Sequence, residues 1–458
     1  MTHLDLNAHY TIVGTGLTGL SCVDFFQEQG VKNFRLVDTR TAPPAADKIQ
    51  QCYGNIETIF GHLETLSFSE GEILVVSPGM ALSEPFIQKA LEQGAVISSD
   101  IALFLQVNSK PVIAITGSNG KSTVTTIVGE ILNNAGLRAA VAGNIGLPVL
   151  SQISAENAFD IFVLELSSFQ LERLQTLHAT AATILNISED HLDRYASFED
   201  YIKAKQVIFS AAENIAVNVD EGLSAPINVN ASVKCMPFGL TNVDKSGLYL
   251  QTSNSQQWLC FEDERLLPIA DMRLKGLHNV NNVMAAMTLC YQVGVSFSAM
   301  LETVKNFTGL AHRCEWAGKI NDVIFINDSK ATNVGAVVAA INGFSEEPSN
   351  KILIAGGVDK DADFSVLATT IKQHVTKVVL FGQDAHKIAA VLPKEMVVLA
   401  DDLQQAIEIA FTQAGQQAVV LFSPACASFD MFNNFEHRGE VFKNCVKQLV
   451  QQHGGRDD

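Results

Sequence analysis

The stretch 115–123, I-T-G-S-N-G-K-S-T, carries residue types that bind phosphate. An apolar run precedes it and a helical pattern follows, so its backbone amides and the helix N-terminus predict a phosphate cradle. Lys121 would add a positive charge, and the Ser122 hydroxyl could bind Mg²⁺. The G-x-x-G-K-S spacing is shorter than the Walker pattern G-x-x-x-x-G-K-[ST], which leaves an ordinary strand-to-helix turn as the alternative.

A second glycine pattern, G-x-G-x-x-G, occupies 14–19, and Asp38 follows the next apolar run. A carboxylate in that position commonly binds a ribose hydroxyl, as in dinucleotide-binding proteins. The same turn accommodates any diphosphate. Another nucleotide ligand and a purely structural role for the glycines therefore stay open at this point.

Further polar residues follow predicted strands. Glu165 ends one strand, where open α/β sheets bind ligands, and is a natural Mg²⁺ ligand. His191 follows the next strand as a candidate metal or phosphate contact, although a surface histidine often has no such role. Lys203 and Lys205 lie on a predicted helix, where composition alone indicates only a solvated face.

Parallel α/β sheets are needed to bring these strand ends together. Short apolar runs predict strands at the following positions: 10–13, 34–37, 73–76, 96–97, 112–116, 161–165, 182–186, 323–326, 351–355, 378–381 and 418–422. Helical patterns alternate with them, and 214–275 has short strand-like runs that predict a β-rich insertion or sheet edge. We expect three domains: 1–105 Rossmann-like, 106–307 a P-loop-type ATPase domain with a mostly parallel sheet, and 308–458 Rossmann-like.

Composition excludes several classes of protein. The 458 residues include 31 basic and 49 acidic ones, and the net charge of −18 disfavours nucleic-acid binding. Eight cysteines without a C-x-x-C pair match neither a zinc site nor a disulfide framework, and they indicate buried thiols in a reducing cytoplasm. The first residues do not resemble a signal peptide, and no uncharged apolar run reaches about 18 residues. We expect a cytoplasmic monomer without a membrane span.

Several motifs occur in a fixed order along the chain. They are the phosphate loop, E-L-S-S-F-Q-L-E (165–172), E-D-H (189–191), H-N (278–279), H-R (312–313) and N-D-S-K-A-T-N (327–333). In this order they resemble the Mur ligase family, ATP-dependent amino-acid ligases of peptidoglycan precursor synthesis, whose G-x-x-G-K-[ST] loop has the short spacing found here. The resemblance covers essentially the whole chain.

Four other motifs resemble the family members that add D-glutamate to UDP-N-acetylmuramoyl-L-alanine. They are G-L-T-G-L-S (16–21), D-T-R (38–40), S-P-G (77–79) and S-P-A-C-A-S-F-D (423–430). The resemblance implies that the first glycine loop binds the uridine diphosphate of the nucleotide sugar rather than a dinucleotide. The implied reaction passes through an acyl phosphate and a tetrahedral intermediate to an amide and inorganic phosphate.

The resemblance also implies a role for each motif residue. Contacts to the nucleotide-sugar substrate would be Leu17, Thr18, Asp38, Thr39, Arg40 and Gly79, with Asn144 and Ser167 at the sugar-alanine portion. ATP would be bound by Gly117, Ser118, Asn119, Gly120, Lys121, Ser122, Thr123, Asn279, Asn282, Arg313, Asp328 and Lys330. D-Glutamate would be bound by Thr332, Lys360, Ser428 and Phe435.

Two Mg²⁺ ions would be held by Ser122, Glu165, His191 and Lys205, the last as a carbamate. The catalytic group would consist of Lys121, Glu165, His191 and Lys205. Lys203, two residues before Lys205, is the alternative position for the carbamylated lysine. Other functions are an NAD-linked dehydrogenase, a non-catalytic nucleotide sensor and a folate-glutamate ligase of the same fold. The second phosphate loop argues against the dehydrogenase.

Overall fold

The computed structural model describes residues 4–153, 158–188, 194–227, 229–241, 246–274, 276–344, 350–359 and 362–454. The chain divides into two compact units. The first comprises Met1–Arg273 and Asn279–Asn306, and the second comprises Leu274–His278 and Phe307–Asp458. Two sheets lie in the first unit and one in the second. This architecture confirms the predicted α/β class, while the domain limits near 105 and 307 stay predictions.

The first sheet is wholly parallel, with strand order β3-β2-β1-β4-β5. Its strands are β1 (Tyr10–Val13), β2 (Phe34–Asp38), β3 (Glu57–Phe60), β4 (Ile73–Val76) and β5 (Val96–Ser98). The helices are α1 (Leu17–Gln29), α2 (Ala46–Tyr53), α3 (Pro85–Glu92) and α4 (Asp100–Val107). The strand order reverses between β1 and β4, and open α/β sheets bind ligands at such a point.

The second sheet has nine strands in the order β14-β13-β12-β11-β10-β9-β6-β8-β7. They are β6 (Val112–Thr116), β7 (Ala139–Gly143), β8 (Ile161–Glu165), β9 (His178–Ile184), β10 (Ala211–Asn218), β11 (Lys234–Gly239), β12 (Leu248–Ser253), β13 (Gln256–Phe261) and β14 (Glu264–Pro268). The helices are α5 (Lys121–Asn134), α6 (Ser168–Leu171), α7 (Phe198–Gln206), α8 (Leu277–Gln292) and α9 (Phe297–Asn306).

Only β12, β13 and β14 pair antiparallel, which makes one end of this sheet a meander. The predicted β-rich edge therefore lies in this sheet. The strand expected at 182–186 is instead His178–Ile184, because the Ala and Thr residues that precede Ile184 belong to the same buried strand.

The sheet of the second unit has the order β15-β16-β20-β17-β18-β19 and is parallel except at β15. The strands are β15 (Glu315–Ile320), β16 (Val323–Asn327), β17 (Asn350–Gly356), β18 (Lys377–Phe381), β19 (Val397–Leu399) and β20 (Ala418–Phe422). The helices are α10 (Val334–Gly343), α11 (Ser365–His374), α12 (Ala385–Ala390), α13 (Leu403–Ala414) and α14 (Phe435–His453).

Each unit has its own core, and each carries one of the two tryptophans. In the first unit one cluster of buried side chains extends from α1 and α4 to the strands of the nine-stranded sheet, and the Phe104 and Phe162 rings meet at 4.9 Å within it. The second unit buries separate clusters on the two faces of its sheet. Trp258 lies on β13 and Trp316 on β15.

Among the described residues, no helix combines the length and apolar character needed to cross a membrane.

Candidate active site

The phosphate loop joins the end of β6 to the start of α5. Gly120 stands at the N-cap of α5 with φ 82°, a left-handed conformation that glycine adopts without strain. A Cβ atom at Gly120 would lie 2.5 Å from Oδ1 of Asn282 on α8. The loop therefore has no room for a larger residue, and Gly120 itself contributes no side-chain cap to the first amides of α5.

Asn186, just beyond β9, fixes the conformation of this loop. Its carbonyl accepts the Ser118 amide at 2.9 Å, and its Oδ1 accepts the Asn119 amide at 2.8 Å. The Ser118 hydroxyl lies 2.9 Å from the hydroxyl of Tyr201 on α7. Neither Asn186 nor Tyr201 was among the predicted site residues. Asn186 could have been selected because it follows a predicted strand. Tyr201 could not, because it reaches Ser118 only in the folded chain.

The three residues that begin α5 lie where the sequence places a phosphate site. Lys121 donates to the carbonyls of Gly117 at 2.8 Å and Ser118 at 2.9 Å, so its ammonium stays beside the loop. Ser122 and Thr123 are largely buried at the helix N-terminus. A lysine and hydroxyls at a helix N-terminus form a site suited to a polyphosphate.

Glu165 ends β8, the strand beside β6, and is almost fully buried. Its Oε1 accepts a hydrogen bond from Asn144 Nδ2 at 2.9 Å. Its Oε2 is buried and has no hydrogen-bond partner among the described residues. Burying a carboxylate oxygen without a partner is costly. A cation at this oxygen would remove that cost, so Glu165 suits the predicted Mg²⁺ site.

The two lysines of α7 differ sharply in environment. Lys203 is exposed and pairs with Asp200 at 3.4 Å. Lys205 is 2 % exposed, and its Nζ lies 3.0 Å from the Gly117 carbonyl and 3.4 Å from Thr116 Oγ1. Only Lys205 of the two therefore reaches the phosphate loop. His191, the other predicted metal ligand, lies outside the described residues.

Asn279 and Asn282, near the start of α8, flank the same loop. Asn282 donates from Nδ2 to Asn279 Oδ1 at 3.3 Å, and its own Oδ1 faces Gly120. Asn279 is largely buried. The structure thus brings the predicted ATP residues of the first unit to one loop.

The predicted uridine residues lie at the carboxyl ends of β1, β2 and β4. Asp38 accepts hydrogen bonds from Thr15 at 2.6 Å and from Arg40 at 2.7 and 2.8 Å. Burial of Asp38 favours its neutral form, but the hydrogen bonds from Arg40 and Thr15 outweigh burial and hold the pKa of this carboxyl well below its usual range. The Arg40 side chain stays 53 % exposed and available to an anion.

The remaining residues of this group surround the same strand ends. Gly14 has φ 103°, and a Cβ there would lie 2.6 Å from Ser77 Oγ, so the first glycine allows the loops after β1 and β4 to approach closely. Leu17 is 80 % exposed at the start of α1, and Thr18 follows it. Thr39 and Gly79 are exposed beside them. Ser167 caps α6 through a reciprocal capping box with Gln170, at the end of β8.

In the second unit the residues after β16 and β20 converge on Asp328. Its carboxylate accepts from Ser423 Oγ at 2.7 Å and from the Cys314 amide at 3.2 Å. Burial raises the pKa of Asp328 to about 7, although these hydrogen bonds and the charge of Arg313 oppose the rise. Lys330 lies two residues further on, with its Nζ 5.1 Å from the centre of the Phe435 ring.

The predicted D-glutamate residues are only partly described. Thr332 follows Lys330 in the same loop, Ser428 is buried in the loop after β20, and Phe435 begins α14. Lys360 lies outside the described residues. Arg438 of α14 is fully buried and binds the carbonyls of Ser329 at 2.8 Å and Cys426 at 3.1 Å, so it joins these two loops. No sequence motif singled out this arginine.

Three family models match the chain in succession. They are the Mur ligase MurD-like N-terminal domain at 8–99, the Mur ligase middle domain at 115–290 and the Mur ligase glutamate ligase domain at 312–426. The UDP-N-acetylmuramoylalanine--D-glutamate ligase of Pseudomonas syringae pv. syringae is 44% identical over 96% of this chain and 97% of its own length. The chain belongs to the Mur ligase family. The enzyme of the same name from Marinobacter nauticus is 43% identical over 96% of this chain and 98% of its own length.

Solved Mur ligases share the fold at lower identity. The UDP-N-acetylmuramate-alanine ligase of Thermotoga maritima superposes with a TM-score of 0.58 at 17% identity, over 97% of this chain and 99% of its own. A pseudomurein peptide ligase type C from Methanothermus fervidus gives a TM-score of 0.59 at 16% identity, over 97% of this chain and 100% of its own. These similarities concern the fold, and the predicted family and fold class are confirmed.

Proposed function

We propose that this Mur ligase joins D-glutamate to UDP-N-acetylmuramoyl-L-alanine, as the names of its relatives at 42–44% identity indicate, and that ATP is converted to ADP and phosphate in the same reaction. The observation that carries the proposal is the phosphate loop after β6, flanked by the buried, incompletely paired carboxylate of Glu165. This combination suits phosphoryl transfer, in which charge neutralisation is the main requirement.

The proposed reaction begins at the carboxylate of the alanyl group. One of its oxygens attacks the γ-phosphorus of ATP, the bond from that phosphorus to the ADP oxygen breaks, and an acyl phosphate forms. Lys121 and the amides at the start of α5 stabilise the negative charge on the phosphates. Ser122 and Glu165 would hold Mg²⁺, which supplies further neutralisation of phosphate charge when bound.

In the second step the amine of D-glutamate attacks the acyl carbon. The tetrahedral intermediate collapses to an amide as inorganic phosphate leaves with the acyl C–O bonding pair, and the proton lost from the amine nitrogen ends on the released phosphate. Thr332, Lys360, Ser428 and Phe435 are the residues that we propose bind the amino acid. Asn144 and Ser167 would position the sugar-alanine portion. Asn144 donates a hydrogen bond to Glu165, and Ser167 lies two residues after Glu165 in the sequence.

We assign the carbamate to Lys205. Its neutral amine would add to CO₂ and release a proton, which converts a cation into an anionic oxygen ligand. Its low exposure and its position beside Thr116 and Gly117 support this assignment, because an ammonium there would repel a metal ion bound by Glu165. The exposed Lys203 has no comparable position.

The dinucleotide alternative is less well supported at the first glycine loop. Both oxygens of Asp38 already accept hydrogen bonds from Arg40, and one also accepts from Thr15. A ribose hydroxyl would have to displace these donors, whereas the exposed Arg40 guanidinium can bind a diphosphate. We therefore propose that the first glycine loop is a uridine diphosphate site. We also propose that the enzyme is cytoplasmic and acts as a monomer.

Omission of single substrates tests the function directly. Purified protein is incubated with ATP, Mg²⁺, D-glutamate and UDP-N-acetylmuramoyl-L-alanine, and phosphate release is measured with each component left out in turn. We expect release to require all four, and Lys121→Ala to lower it by at least about a hundredfold because a cation at the transferred phosphate is lost. Phosphate release that does not depend on D-glutamate, or a preference for another amino acid, contradicts the proposal.

A further inference from the structure

Arg173 is a buried arginine outside every motif that pointed to the active site. It lies two residues beyond α6, the short helix that Ser167 caps, and its side chain is 0% exposed. Burial lowers the pKa of its guanidinium, opposed by the nearby charge of Glu172. A fully buried cation is costly unless its donors are used. Its hydrogen bonds therefore indicate what this residue does.

The guanidinium connects two segments that are distant in sequence. Nη2 donates to the Met80 carbonyl at 2.6 Å and lies 3.5 Å from the Ser77 carbonyl. Nη1 donates to the Phe169 carbonyl within α6 and pairs with Glu172 at 3.0 Å. One planar group thus joins the loop after β4 to the helical turn after β8.

A second arginine supports the same connection. Arg194 donates from Nη2 to the Met80 carbonyl at 3.3 Å, and its guanidinium carbon lies 4.3 Å from the centre of the Phe169 ring. Cation and ring attract each other at this separation. Both arginines therefore bind the Met80 carbonyl, and both contact Phe169 of α6.

The two connected segments carry residues for one substrate. The loop after β4 includes Gly79, a proposed contact of the uridine diphosphate, and α6 begins after Ser167, a proposed contact of the sugar-alanine portion. A substrate that binds both segments requires a fixed distance between them. If the spacing changes, the substrate keeps its contacts with one segment and loses contacts with the other, so a fixed spacing favours its binding.

We propose that Arg173 is a positioning residue that holds the Ser77–Met80 loop and the Ser167 turn at the spacing needed by the nucleotide-sugar substrate, with Arg194 in a supporting role. This inference rests on the proposed function and adds a determinant of nucleotide-sugar affinity. Within the described residues, the hydrogen bonds of Arg173 go to the loop after β4 and to the turn after β8 rather than to the phosphate loop. ATP binding at the phosphate loop should therefore not depend on this residue.

Kinetic constants of three variants test the inference. Arg173→Met keeps an unbranched apolar stem but removes the guanidinium donors, and Arg173→Lys restores one cationic donor. We expect Arg173→Met to raise the KM for UDP-N-acetylmuramoyl-L-alanine at least about tenfold with the KM for ATP within about twofold, and Arg173→Lys to fall between. The control is Arg138→Met, which removes an exposed arginine paired with Asp160 and should change neither constant.

Each outcome decides the inference. Equal increases of both KM values, a lower kcat with unchanged KM, or no change in any constant overturns it. If Arg173→Met does not fold, Arg173→Lys and Arg194→Met decide in the same way, with an expected selective rise of about threefold in the nucleotide-sugar KM. A wild-type protein without ligase activity would contradict the proposed function instead, so the two failures are distinguishable.

Discussion

At the scale of single residues, burial determines what the ionisable groups of the first unit can do. Lys205 and Glu165 are both almost fully buried near the phosphate loop, while Lys203 is 71% exposed at its side chain. Water screens exposed charges, so replacing one of them changes little. Buried charges are screened less, and their effect depends on their particular neighbours. The two lysines should therefore respond very differently to substitution.

We predict that Lys205→Ala lowers kcat by at least about a hundredfold, because an anionic oxygen beside the metal site would be lost. Lys203→Ala, the matched control on the same helix, should keep kcat within about twofold, since exposed ion pairs contribute little. Acetate should partly restore Lys205→Ala by supplying a carboxylate. Steady-state phosphate release measures all three effects, and a wild-type rate for Lys205→Ala would show that the carbamate is assigned to the wrong residue.

Asp100 should give stability a distinctive pH dependence. Burial raises its pKa to about 6, although backbone hydrogen bonds and the charge of Arg173 oppose the rise. The folded state then binds the proton more tightly than the unfolded state, so this group stabilises the fold below about pH 4 and loses that effect as pH rises through 6.

We therefore predict that the free energy of unfolding of wild type relative to Asp100→Asn falls by about 2 kcal/mol between pH 4 and 7, because the carboxyl of the unfolded chain is already partly ionised at pH 4. Urea unfolding at a series of pH values measures this difference. Asp160→Asn is the control, because hydrogen bonds from Arg138 lower the pKa of Asp160 and no fall is expected over this range. A pH-independent difference for Asp100→Asn would contradict the prediction.

At the scale of elements, the phosphate loop depends on a glycine where a strand passes into a helix. Gly120 combines a left-handed backbone with close contact to Asn282. Gly136, two residues beyond α5, also has a positive φ of 88°, but no atom lies within 4 Å of a Cβ built there. Both glycines have a positive φ, but only Gly120 of the two is crowded. Comparing them therefore distinguishes the effect of backbone strain from the effect of crowding at the loop.

We predict that Gly120→Ala raises the KM for ATP at least about tenfold, since its Cβ would displace Asn282 from the loop. Gly136→Ala should lose only about 1–2 kcal/mol of stability through its left-handed backbone and keep the KM for ATP. Kinetics and urea unfolding on both variants make the comparison. If the two behave alike, crowding at Asn282 has no functional consequence.

Strands inside the sheets were predictable because they are apolar on both faces. β1, β4, β6, β8 and β20 have the bounds expected from sequence. Outside the β-rich segment near 211–268, the strands without a prediction are β3, β7, β15 and β19, and all four lie at sheet edges. β3 and β15 contain polar residues, β7 consists mostly of alanine, and β19 has only three residues, so none of the four has a long run of bulky apolar residues.

The residues of the candidate active site were also only partly predictable from sequence. Residues at strand ends, such as Glu165 and Asp38, could be selected from sequence because parallel sheets place ligands there. Asn186, Tyr201 and Arg173 act through partners from 67 to 96 residues away, a separation that local patterns do not encode. Their roles required the folded chain.

At the scale of the whole molecule, a net charge of −18 contrasts with substrates that are themselves anions. Long-range attraction cannot bring such substrates to the protein, because like charges repel and salt screens the field within about 10 Å. Local donors must compensate, among them Lys121, Arg40 and the amides at the start of α5. We accordingly expect added salt to weaken nucleotide binding less than it does for basic nucleotide-binding proteins.

The division into two compact units predicts two thermal transitions. Each unit has its own buried clusters, and multidomain proteins often unfold in steps. UDP-N-acetylmuramoyl-L-alanine alone should raise the midpoint of the first unit only, by mass action on the state that binds it. Calorimetry with hydrogen exchange to assign each transition measures this; a single transition that shifts as a whole would contradict it.

The placement of the two tryptophans gives each unit its own fluorescent reporter. Trp258 on β13 belongs to the first unit, and Trp316 on β15, 43% exposed, belongs to the second. The tryptophan emission of a Trp316→Phe protein comes only from the first unit, and that of a Trp258→Phe protein only from the second. Acrylamide should quench the partly exposed Trp316 readily. Stopped-flow mixing with substrates could then time the response of each unit in the intact enzyme without any attached dye.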